Sequence, residues 1–119
     1  MVTREQLRNF RRSKRELKTI LALMRQAELR VSADTTRQRD RERAQAEAAR
    51  YEKAADALAT EQERIETAIQ TLDKPNLRRV LYCRYIMGWS CAKTACDMEV
   101  SERTVCGLAA EAIRILEKN

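Results

Sequence analysis

From Thr3 onward, apolar residues return every three or four positions: Leu7, Phe10, Leu17, Leu21, Met24 and Val31, with Lys14 and Glu28 interrupting the series. Ile20, Leu23 and Ala27 widen the stripe beyond a narrow seam, and the period predicts an amphipathic helix over about 3–31. Its start is marked by Thr3-Arg4-Glu5-Gln6, the spacing at which a hydroxyl and an amide side chain each satisfy an orphan backbone amide. The opposite face carries Arg8, Arg11, Arg12 and Arg15. Ser32-Ala33-Asp34-Thr35-Thr36 is a run of capping side chains, which compete with helix-interior bonding and predict a break. Continuing the first stripe would need apolar residues at 35, 38, 42 and 45, where the chain has Thr, Gln, Glu and Gln.

A second stripe starts in a new phase at Ala44, Ala48, Tyr51, Ala55, Leu58, Gln62, Ile65, Ile69 and Leu72. This is a 4-3-4-3 heptad with one polar insertion, and it predicts a helix over 36–73, about 55 Å long. Such a stripe needs a cover: the first helix folded back, a second copy of the chain, or both. Gln62 at a core position has the character of a register-setting residue in a dimer seam. Pro75 closes this arm, because the residue before a proline is pushed out of the helical region.

Beyond Pro75 the elements shorten. Leu77, Val80, Leu81, Tyr85 and Ile86 share one face of a helix ending near Met87-Gly88, with Gly88 suited to a left-handed end residue. Ser90 caps a short helix through about Met98, facing inward with Thr94, Ala95 and Met98. Glu99-Val100 makes a turn, and Ser101 caps a last helix with inward Val105, Leu108, Ala112 and Leu116. Two short helices, a tight turn and a small Ala95 under the crossing describe a helix-turn-helix. Trp89 reads as a core plug, and Arg84 as a partner for an acidic neighbour.

Composition agrees with this all-α reading: a two-helix coiled-coil-like arm over 1–73, which also serves oligomerisation, followed by a three-helix domain over 74–119. Two Gly and one Pro in 119 residues leave too few turn formers for a β-meander, and no Gly-rich phosphate loop exists. The net charge of +6 is uneven. Residues 1–30 hold nine basic and three acidic residues, 31–73 hold seven and ten, and 74–119 hold eight and five. A basic head and tail suit contact with a polyanion, and no apolar run is long enough to span a bilayer. The lack of His removes the commonest general base and zinc ligand, and no paired carboxylates or nucleophile motif replace it. The sequence therefore predicts no enzyme, no metal and no cofactor. Cys83, Cys91, Cys96 and Cys106 lack a C-x2-C pair and read as reduced thiols in a cytoplasm, where Cys106 is the one whose oxidation would matter.

Leu81, Arg84-Tyr85-Ile86, Gly88-Trp89-Ser90, Thr94-Ala95, Met98, Val100-Ser101 and Thr104-Val105 together resemble the sigma-70 region 4-like helix-turn-helix. The layout is most similar to the ArpU/RinA-type phage transcriptional regulators, in which a helical amino-terminal segment precedes such a domain. The resemblance covers roughly 74–118. It implies a DNA-binding regulator of transcription of phage or mobile-element type, working in the cytoplasm of a bacterial host. The helix over 101–117 would present Ser101, Arg103, Thr104, Cys106, Gly107, Glu102 and Ala110 to the major groove of double-stranded DNA, with Lys93 near a phosphate. Cys106 and Gly107 stand where the family commonly carries Arg, Lys or Gln, which leaves base reading to Arg103, Ser101 and Thr104. Phosphate contact then falls to Lys74, Arg78, Arg79 and Lys93, and site length to a homodimer formed through the arm. Two other readings use the same elements. One is a protein-interaction adaptor docking on RNA polymerase or another regulator; the other is a DNA-packaging small subunit. The Arg8/Arg11/Arg12/Arg15 face is either a further nucleic-acid contact or a solvated surface.

Overall fold

A computed structural model describes residues 1–33 and 37–119, and those residues are all-helical. Helices α1 (Arg4–Ser32) and α2 (Gln38–Gln70) are long; α3 (Pro75–Leu81), α4 (Cys91–Met98) and α5 (Glu102–Lys118) follow. The Asp34-Thr35-Thr36 part of the expected capped break lies outside the described residues. The chain forms two compact units, one of Arg12–Gln62 and one of Met1–Arg11 with Glu63–Asn119. The compositional junction at Pro75 thus lies inside the second unit rather than at its edge.

The first unit is an antiparallel pair of α1 and α2 segments. Its direction is fixed at both ends: the Gln62 side-chain amide donates to Ser13 Oγ at 2.8 Å, and Arg30 pairs with Glu47 at 2.9 Å. Ala27, Ala44 and Ala55 are buried, and small side chains at these positions let the two backbones approach. On α1 the inward face runs Ser13, Leu17, Ile20, Met24, Ala27 and Val31, a 4-3-4-3-4 spacing. Leu21, expected in the stripe, is 43% exposed, because Ile20 holds the seam position one residue earlier. Gln62 is buried at its expected core position, but its partner is Ser13 of the same chain.

In the second unit, the first two turns of α1 are built on the expected capping box. Thr3 N–H donates to Gln6 Oε1 at 3.0 Å, and Gln6 N–H donates to Thr3 Oγ1 at 3.2 Å. These turns drive Val2, Leu7 and Phe10 into one core with Ile65, Ile69, Leu72, Leu77, Val80, Leu81, Val105, Ile113 and Leu116. Backbone ties reinforce the placement: Val2 N–H reaches the Leu116 carbonyl at 3.4 Å, and Arg64 donates to the Met1 carbonyl at 2.7 Å. Helix α2 stops at Gln70, three residues before the expected end. Thr71 Oγ1 there donates to the Ala68 carbonyl at 2.6 Å.

Pro75 occupies the first turn of α3, where no donor is missed. The helix then widens to a π-helical turn over Tyr82–Ile86, in which Met87 N–H bonds the Tyr82 carbonyl at 2.9 Å. The wider closure shifts the side-chain phase, so Cys83 is buried while Tyr85 and Ile86 are only half-buried. Gly88 follows with φ +71°, the left-handed conformation expected of it.

Candidate nucleic-acid interface

Helices α4 and α5 form the expected two arms. Ser90 caps α4 by accepting from Lys93 N–H at 3.1 Å, and Ser101 caps α5 by accepting from Thr104 N–H at 3.1 Å. Between them Glu99 takes φ +57°, a left-handed conformation that the sequence marked only as a turn. Thr94 and Ala95 of α4 are buried against the fully buried Val105 of α5, so the arms cross closely. The Thr94 hydroxyl is satisfied by donating to the Ser90 carbonyl at 2.9 Å.

The outward face of α5 presents Ser101, Glu102, Arg103, Thr104, Cys106, Gly107 and Ala110, all exposed. Their free bonding capacity differs. Ser101 Oγ lies 2.9 Å from Thr104 Oγ1 in addition to holding the cap, so both hydroxyls are committed locally. Arg103 is the exposed cation of this face, and a guanidinium can read guanine bidentately. Gly107 has nothing within 4 Å of where a Cβ would stand.

The four basic residues expected at phosphates are mostly engaged inside the unit. Arg78 donates to the carbonyls of Leu72 and Asp73, closing the end of α2. Arg79 pairs with Asp97 at 2.6 Å, and this hydrogen bond and charge raise its pKa further above the usual guanidinium value. Lys74 reaches Glu111 at 3.4 Å. Lys93 is exposed, with its ammonium 4.5 Å from the centre of the Trp89 ring. Trp89 is therefore a half-buried platform for Lys93 rather than a core plug, and it stands outside the apolar cluster. Arg84 likewise donates to the Trp89 carbonyl at 2.6 Å instead of pairing with a carboxylate.

Other basic residues stand beside α5. A groove of about 170 Å³ is lined by Arg4 and Arg8 of α1, by Arg84, Tyr85 and Cys91, and by Val105, Cys106, Ala109, Ala110 and Ile113. Three arginines and no acidic side chain line it. Arg11, one turn beyond Arg8, donates to the Met87 carbonyl at 3.0 Å and lies over Gly88. The sequence pattern places Arg8 and Arg11 on a polar face and shows Arg4 only within the capping box. The i, i+4, i+7 spacing of Arg4, Arg8 and Arg11 was the available signal.

Comparison with protein-family models, curated proteins and solved structures finds no match. Among the described residues no helix is long and apolar enough to cross a membrane, and no group of three or more Cys, Asp or Glu side chains could hold a metal ion.

Proposed function

We propose that the chain is a DNA-binding transcriptional regulator of phage or mobile-element type, placing α5 in the major groove of double-stranded DNA. The observation that carries this reading is the capped α4–turn–α5 unit, with exposed Arg103 on one side of α5 and the arginine-lined groove on the other. Arg103 reads a base edge, while Arg4 and Arg8 of α1 track phosphates and take over much of the work expected of Arg78 and Arg79. The protein acts as a homodimer through its helical arm, in the cytoplasm of a bacterial host. Since the heptad stripe is already covered within the chain, the dimer contact falls on side chains such as Leu21 and Leu29, which remain exposed.

Fluorescence anisotropy with duplexes from the DNA flanking the protein's own coding sequence, at two salt concentrations, tests this. Sequence-preferring binding that weakens with salt is expected. Arg103→Gln should relax the preference at one base pair by ~1–3 kcal/mol. The pair Arg4→Gln and Arg8→Gln should lower the salt slope by about 2, equally for all sequences. Binding with no preference at either salt concentration, or none at all, overturns the proposal.

One observation favours a second reading, an adaptor that docks on RNA polymerase. Lys74, Arg78, Arg79, Ser101 and Thr104 are all committed within the unit, which leaves few groups for DNA. Retention of polymerase on the immobilised protein after nuclease treatment, without duplex binding, decides for it.

A further inference from the structure

Two of the four thiols in the helix-turn-helix unit touch. Cys91 opens α4 and Cys106 lies in the second turn of α5, and their Sγ atoms are 3.7 Å apart. The sulfurs belong to opposite arms of the motif, and both line the arginine groove. Cys106 is exposed and Cys91 half-buried, so a small solute reaches the pair from solvent. Arg4, Arg8 and Arg84 line the groove beside the pair, and no acidic side chain does. Burial and the contact with Cys106 push the Cys91 thiol up, against the pull of Arg84. Cys106, exposed where Cys91 is half-buried, is the first that a solute meets and the first to react.

We propose that Cys91 and Cys106 form a reversible dithiol–disulfide site whose oxidant is a peroxide. The Cys106 thiolate attacks one peroxide oxygen; an S–O bond forms, the O–O bond breaks, and the departing oxygen leaves as water after taking a proton. The Cys91 thiolate then attacks the resulting sulfenic sulfur; the S–S bond forms, the S–O bond breaks, and a second water leaves. Overall the two thiols give up two electrons and two protons, and hydrogen peroxide becomes two waters. Bond formation brings the sulfurs from 3.7 Å to about 2 Å, the length of a disulfide bond. A dithiol reductant reverses the bond. The product locks α4 to α5 and fixes Cys106 against the groove wall.

The test is chemical and independent of any DNA. The reduced protein is treated with a small molar excess of hydrogen peroxide, alkylated and weighed intact. The expected product is a monomer lighter by two hydrogens, with two thiols protected, a Cys91–Cys106 peptide in the digest, and all four thiols recovered after dithiol treatment. Cys96→Ser should behave in the same way, and Cys106→Ser should lose the internal link while keeping the wild-type helical circular dichroism. Four thiols still open to alkylation, or a link that maps to Cys83, to Cys96 or between chains, overturns the site.

Discussion

Gly88 and Gly107 do opposite work. At Gly88 the backbone sits at φ +71°, which disfavours other residues, and a Cβ there would displace the Arg11 side chain from over it. Gly88→Ala should cost ~1–2 kcal/mol from the left-handed backbone alone, seen as a lower urea midpoint. Gly107 has helical neighbours and open space, so Gly107→Ala should gain ~1 kcal/mol. If that variant is more stable yet binds DNA more weakly, the glycine is kept for close approach of the backbone to a ligand. Cys83 gives a pH-dependent effect at the same scale. Burial pushes its thiol up, aided by Asp97 and opposed by Arg79. The folded thiol thus holds its proton to higher pH than the unfolded one. Its contribution is complete below the ordinary thiol range and is lost as pH climbs through the raised folded value. Urea midpoints at about pH 7 and about pH 10 should therefore fall further in the wild type than in Cys83→Ala.

Among the elements, hydrophobic period and capping chemistry made the helices readable. Thr3, Ser90 and Ser101 cap where their spacing says, Gly88 takes the left-handed turn, and the Ala44-to-Leu72 stripe faces inward throughout. What stayed hidden depends on tertiary context. A 3.6-residue template has no place for the π turn that brings Cys83 inward. Left-handed Glu99 breaks the usual preference for Gly or Asn, and the tight α4–α5 connection imposes it. Leu21 fell outside the seam because Ser13, a polar residue skipped in any apolar count, sets the register with Gln62. The candidate site divides in the same way. The face of α5 was legible from one helix, while the groove combines residues about a hundred positions apart. The Ser13–Gln62 bond should make a measurable pair. Gln62→Ala is expected to cost ~1–3 kcal/mol, Ser13→Ala less, and a double-mutant cycle by urea denaturation should give a coupling of about 1 kcal/mol. Zero coupling would mean that packing alone sets the register.

For the whole molecule, the decisive fact is that Val2, Leu7 and Phe10 complete the core beneath the helix-turn-helix. The domain suggested by the sequence, 74–119, therefore lacks part of its own interior. A fragment of 63–119 alone should show no cooperative thermal transition by circular dichroism, and adding back residues 1–11 in one chain should restore it. Within the intact chain, Phe10→Ala should cost ~3–5 kcal/mol, a large share of the ~5–15 kcal/mol typical of a whole domain. The loss should appear in the unfolding of α5 although Phe10 lies on α1. A cooperative transition in the 63–119 fragment would show that the first two turns are dispensable.

The tie between Val2 and Leu116 also sets an order of events during synthesis. The segment 12–62 has both of its helices in hand as soon as it leaves the ribosome, and its pairing joins near neighbours in the chain. Val2, Leu7 and Phe10 are made before the rest of their core and meet its α5 members last, and non-local closure of that kind is slow. Until α5 is made, these three apolar side chains are only partly covered. The growing polypeptide is then open to chaperone capture or to self-association, and α5 ends that exposure when it emerges.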